Sequence, residues 1–190
     1  MMTMGSVIPV APAVIKALVV GKLVFDVIER EPQIRTPAAS ESPVKNISIE
    51  NGIQFEKVRF RYPTAPDDAR DVLNGASFVI KPYTSTAIVG PSGSGKSTIV
   101  QLLNRFYDVM EGTVRYGKTD IKQLDLAALR NSIGYVSQEP VLILGTIRDN
   151  LTYGNRDATE ADMWNALTRA NATDFVKNLE KELDTYVGSG

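Results

Sequence analysis

One run constrains this chain more than any other feature: Gly90-Pro91-Ser92-Gly93-Ser94-Gly95-Lys96-Ser97, with Thr98 after it. Residues this small give little to a core. An uninterrupted apolar-rich stretch, Ser85 to Val89, leads into the run, and Ser97 to Tyr107 reads as a helix. Gly90 and Gly95 stand with four residues between them, and Lys96 and Ser97 follow at once, which fits the P-loop pattern. Glycines let the backbone curl so that its N–H groups point inward at phosphate oxygens. The helix start presents its positive end to the same place. Lys96 suits the β- and γ-phosphates of a nucleotide, Ser97 a magnesium ion and Thr98 the α-phosphate.

The rest of the chain narrows the chemistry. Its 190 residues suffice for a domain with a real core, and 43% hydrophobic with 23% charged residues is ordinary globular composition. The formal net charge is -1, so no global field draws in nucleic acid or an anionic membrane. Cysteine and histidine are absent, which excludes a disulfide frame, a thiolate or histidine zinc site, and a histidine triad or general base.

The first 28 residues are strongly apolar, but Pro9, Pro12, Lys16 and Lys22 keep them from forming a clean membrane span. A helix over 13–30 is expected, stopped by Pro32. It is either an amphipathic or buried helix, or the tail of a membrane helix. Residues 32–45 carry three prolines and have linker composition. Three segments follow: 1–31, a helix leading in; 32–45, a linker; and 46–190, the main domain.

Beyond the linker, Val58, Phe60 and Tyr62 alternate with Arg59 and Arg61, as in a half-buried strand. Further strands are expected at Ala76–Lys81, at Ser85–Val89 (buried), at Gly112–Tyr116 and at Ile133–Val136 (buried). Short helices are expected at Leu124–Asn131 and Thr159–Asn171, the latter with Thr159 as N-cap and Asp162 three residues on. The fold class is α/β: a strand–loop–helix unit preceded by antiparallel strands.

The surroundings of the P-loop resemble the ATP-binding cassette family, and more narrowly the nucleotide-binding domain of B-type, P-glycoprotein-like exporters. The resemblance rests on "FEKVRFRYPT", "VLNGASFVI", "GPSGSGKST", "MEGTVRYGKTDI", "LRNSIGYVSQEPVLILGTIRDNLTYG" and "LDTYVGSG", in that order. It implies a P-loop NTPase core, incomplete over this length, with an N-terminal antiparallel β subdomain and a preceding helix: 1–31 would be the end of the membrane domain leading to the cassette, and 46–190 the N-terminal part of the nucleotide-binding domain. It implies that Tyr62 stacks on adenine. Gln138, in "VSQEP", would approach magnesium and the attacking water, with Lys96 beside it in catalysis. Gly90 to Thr98 would hold ATP, and Ser97 and Gln138 the Mg2+. The partners implied are a second cassette, as homodimer, heterodimer or other half of one chain, and a membrane domain of the same polypeptide. The location implied is a membrane, with the cassette on its cytoplasmic face.

Asn-x-Ser/Thr matches at Asn46, Asn150 and Asn171 are then chance. Val141 to Gly145 is either core or a contact for the membrane domain. The sequence holds no Leu-Ser-Gly-Gly-Gln run and no apolar run ending in Asp-Glu after residue 136. The expectation is a fragment of an exporter that binds ATP weakly and does not hydrolyse it alone. A soluble cassette ATPase and a non-catalytic ATP-binding product stay open as alternatives.

Overall fold

The strand centred on Val58 and Phe60 is longer than its alternation suggests, and a bulge is the reason. In the computed structural model, which describes residues 11–38, 43–66 and 68–188, β1 runs Ile53–Phe60. Phe55, Val58 and Phe60 all face the core, at 2%, 0% and 1% exposure. Val58 is three positions on from Phe55, an odd offset that a regular pleat cannot bring to one face. The register against β2 (Leu73–Ile80) and against β3 (Glu111–Tyr116) shifts at this point. The extra residue is Lys57, at φ 47, whose N–H is taken by the Ser77 hydroxyl at 2.8 Å. Gly112 lies opposite at φ 80, where a Cβ would stand 2.3 Å from the Glu56 carbonyl oxygen.

The sheet is antiparallel, in the order β2-β1-β3-β4, with β4 at Thr119–Asp120. Its inner face packs on α2 (Lys96–Leu103) through a core that includes Leu73, Val114, Tyr116, Ile99 and Leu102. The expected helix Ser97–Tyr107 therefore stops early. Asn104 caps its C-terminus and Arg105 turns left-handed at φ 47. Arg105 then donates to Asp108 and to the Ile121 and Lys122 carbonyls, tying the helix end to a 3-10 turn at Ile121–Gln123. Tyr116 donates its phenol to the Leu103 carbonyl at 2.9 Å, and burial pushes that phenol's pKa up.

α1 (Ala11–Ile28) precedes the sheet. Its large apolar side chains from Val14 to Ile28 are all at least half exposed. No helix among the described residues is long and apolar enough to cross a membrane. Residues 1–10 and 39–42 lie outside the described residues, so the start of the apolar run and the middle of the linker do too. The linker's described ends are tied in: the Leu126 N–H bonds the Thr36 hydroxyl, and Val44 pairs with Leu124 in a parallel bridge.

The chain divides into two units, Met1–Leu126 and Ala127–Gly190. Around the division lies α3 (Leu126–Asn131). The second unit holds β5 (Gly145–Thr146), α4 (Ile147–Thr152), α5 (Glu160–Arg169), α6 (Thr173–Lys177) and β6 (Tyr186–Val187), which pairs with β5. Its core is Met163, Leu167, Val176 and Leu183, flanked by Trp164. Thr159 caps α5, and Asp162 returns a bond to the Thr159 N–H at 2.9 Å, as its spacing implies.

Two expected strands do not form. Ser85–Val89 and Ile133–Val136 are irregular, with Val89 and Val136 each 88% exposed. A buried strand exists only with hydrogen-bonded neighbours, and no strand among the described residues pairs with either.

Candidate functional site

The P-loop lies in the first unit, between the irregular Ser85–Val89 segment and α2. Gly95 is the N-cap of α2 at φ 86. A Cβ there would stand 2.9 Å from Leu73 Cδ2 and 3.3 Å from Val72, so glycine lets the helix start against β2. No side chain caps this helix, and its first turn has no acidic residue. The first N–H groups of an α-helix have no acceptor within the helix, so an anion is the partner they suit. Gly93, at φ 80, supplies the other left-handed turn.

Lys96 sits inside the curl it follows. Its Nζ donates to the Gly90 carbonyl at 2.9 Å and to the Pro91 carbonyl at 2.7 Å. The ammonium is thus already ringed by oxygens, the atoms that phosphates would supply. Pro91, Ser92, Ser94 and Ser97 face solvent. A side chain at Gly90 would meet the Ser94 hydroxyl at 2.7 Å, so Gly90 keeps the loop closed.

Thr98 turns the other way and is 3% exposed. Its hydroxyl lies 2.9 Å from that of Tyr62. The Tyr62 hydroxyl also donates to Gln101 Oε1 at 2.8 Å. Tyr62 lies beyond the end of β1, and the structure brings it directly to the P-loop helix. Its ring meets Phe60 and Tyr107 edge-on, at centroid distances of 5.0 and 5.3 Å. These rings, with Pro63, Phe106 and Met110, line a cleft of about 490 Å³.

The segment carrying Tyr62 is clamped at its far end. Asp71 accepts from Arg59 at 2.8 Å through one oxygen and from Arg61 at 2.9 Å through the other. Hydrogen bonds from Arg59 first, then Arg61, hold its carboxyl below the usual carboxylate range. The next residue, Val72, donates its N–H to the Phe60 carbonyl and borders Gly95. Gln101, Tyr107 and Asp71 escape a reading by motif. Their only sequence signals are a polar residue one turn into the P-loop helix, an aromatic at that helix's end, and an acid before a strand.

Gln138 belongs to the second unit and is exposed. The segment after it is shaped by Asn150, whose amide accepts from the Ile143 N–H at 2.7 Å and donates to the Ile143 and Thr146 carbonyls. That arrangement leaves Val141 to Leu144 exposed rather than in a core.

For magnesium, the described residues offer no group of three or more acidic, histidine or cysteine side chains that could hold a metal. Ser97 offers an exposed hydroxyl beside the curl. A hard cation with one or two protein oxygens and its other ligands from phosphate and water fits that donor set.

A left-handed glycine loop, a lysine inside it and an uncapped helix behind it are the arrangement of a P-loop. The chain belongs to the ABC transporter family, whose model matches residues 73–188. It has the family's α/β P-loop cassette fold, here with the antiparallel sheet and a preceding helix. It is 40% identical over 92% of its length to ABC transporter B family member 1 of Dictyostelium discoideum, of which it spans 18%. It is 37% identical over 98% of its length to P-glycoprotein 14 of Caenorhabditis elegans, spanning 14% of that protein. It is 39% identical over 92% of its length to the ATP-dependent permease MDL1 of Candida albicans, spanning 24% of it. The solved structure of a bacterial Atm1-family ABC exporter with ATP bound superposes with a TM-score of 0.81 at 34% identity, over 92% of this chain and 29% of that one.

Proposed function

We propose that this chain binds Mg-ATP as the ATP-binding part of an ATP-driven membrane exporter. The observation that carries the reading is Lys96, held by two carbonyls inside the curl of its own loop at the uncapped start of α2. Phosphate oxygens take the place of those carbonyls on binding. The N–H groups of Gly90 to Gly95 and of the first turn of α2 receive the rest of the triphosphate charge. Ser97 would hold the magnesium ion that the phosphates bring, and Thr98 would serve the α-phosphate. Tyr62 supports the adenine ring.

Binding and turnover are separable in this reading. The cradle is local, whereas phosphoryl transfer to water also needs that water held in line and the developing charge enclosed. We assign the enclosure to a second cassette, and the use of the energy to a membrane domain whose cytoplasmic side the cassette meets.

Titration of the 190-residue chain with a fluorescent ATP analogue, with and without Mg2+, tests the proposal. Lys96→Ala removes charge-assisted hydrogen bonds, so affinity falls about ten- to a hundredfold. Chelation of Mg2+ weakens binding further. Equal affinity in wild type and Lys96→Ala would refute the reading.

A further inference from the structure

The Tyr62 hydroxyl stands between two oxygens, Thr98 Oγ1 and Gln101 Oε1. The phenol has one hydrogen, and it goes to Gln101 Oε1 at 2.8 Å. The 2.9 Å bond to Thr98 must then be donated by Thr98. Thr98 is 3% exposed, so water does not compete for that hydrogen. A phosphate oxygen has no hydrogen and can only accept. The α-phosphate and Tyr62 therefore require the same proton.

We infer that Tyr62 and Gln101 form a latch that withholds the Thr98 hydroxyl from phosphate until a ligand displaces it, with Gln101 as its positioning residue. The inference rests on the nucleotide-binding reading above. Gln101 acts by fixing which way the Tyr62 hydroxyl points. When phosphate takes the Thr98 hydrogen, Tyr62 loses one of its two anchors to α2. The ring that would support the base is then released by arrival of the phosphates. Base recognition thus follows phosphate recognition.

Tripolyphosphate separates the latch from stacking, because it has no base. Its affinity for the full chain is measured by calorimetry in wild type, Tyr62→Phe and Gln101→Leu, with thermal midpoints to establish folding. Tyr62→Phe keeps the ring and removes the competitor. Gln101→Leu turns the phenol hydrogen toward Thr98 and frees the Thr98 hydrogen. Both variants bind tripolyphosphate about two- to tenfold more tightly, the weight of one hydrogen bond. In a Thr98→Val background, Tyr62→Phe gives no gain. Folded variants that bind ATP but show tripolyphosphate affinity unchanged or weakened overturn the latch and leave the nucleotide reading standing. Failure of wild type and every variant to bind either ligand overturns both.

Discussion

Replacing Gly95 by alanine tests whether the start of α2 is set by backbone conformation and close packing together. At φ 86, a side chain costs about 1–2 kcal/mol in backbone strain alone. The added Cβ also lies 2.9 Å from Leu73 Cδ2 and 3.3 Å from Val72. Leu73 is itself only 7% exposed, so it cannot swing away without disturbing the sheet core. Overpacking of that kind adds about 1–3 kcal/mol. Gly93 provides the internal control: its φ is 80, but a Cβ there meets nothing within 4 Å. Gly93→Ala should therefore lose only the backbone part, about 1–2 kcal/mol, and Gly95→Ala about 2–5 kcal/mol in all. For a chain of this size each kcal/mol lowers the thermal midpoint by about 2–4 °C. Melting followed by far-UV circular dichroism should rank wild type above Gly93→Ala and Gly93→Ala above Gly95→Ala. Where the native backbone suits alanine, Gly→Ala stabilises a protein by about 0.4–1 kcal/mol. A Gly95→Ala midpoint at or above wild type, or level with Gly93→Ala, would show that the left-handed turn or the close approach is wrong.

Asp71, Asp149, Asp162 and Asp184 all have lowered pKa values, from hydrogen bonds with Arg59 and Arg61, with Thr146, with Thr159 and with Arg148 respectively. Unfolding in acid makes each take up a proton, so their stabilisation is full above about pH 4 and is lost as pH falls through the lower folded values. Melts of Asp71→Asn against pH should show a shallower acid decline than wild type, and an identical slope would count against the Arg59–Asp71–Arg61 clamp. Thr159→Ala removes the cap of α5 and should cost about 1 kcal/mol, read as a lower denaturation midpoint, with Thr168→Ala as a comparison inside the same helix. Leu183→Ala opens a cavity in the core of the second unit and should cost about 2–5 kcal/mol. Trp164, the single tryptophan, flanks that core, so its emission reports the loss.

What the sequence reveals depends on how far apart the interacting groups lie. The P-loop is legible because its function is written into consecutive backbone positions, and Gly93 and Gly95 take the left-handed conformations their identities suggest. The α5 cap is legible for the same reason, since Thr159 and Asp162 are three residues apart. Phe55 is hidden from a period-two reading because the bulge at Lys57 resets the pleat, and a bulge depends on the facing strand. Gln101 and Asp71 are hidden because their partners lie 39 and 10–12 residues away. Ser85–Val89 and Ile133–Val136 show the limit from the other side: their residues favour a strand, but a strand requires a neighbour, and none is paired with them among the described residues.

The two sides of the P-loop are consequently held in different ways. On the helix side, Gly95 abuts Leu73, Thr98 bonds Tyr62, and Ile99 and Leu102 are buried. On the entry side, Val89 is exposed, and the loop is closed by the Lys96 ammonium on the Gly90 and Pro91 carbonyls and by the Ser94 N–H on the Pro91 carbonyl. In the proposed function Lys96 would have two tasks in sequence: it ties the loop through Gly90 and Pro91, and it would neutralise the phosphates that replace those carbonyls. Its point-like ammonium with three donors can serve both oxygen sets in turn, which a planar guanidinium with a fixed fork cannot do as freely. Affinity is then a difference between two sets of bonds to one cation. On that proposal the ordering cost would fall on the entry side, where the loop would give up its lysine bonds as the ligand gains them.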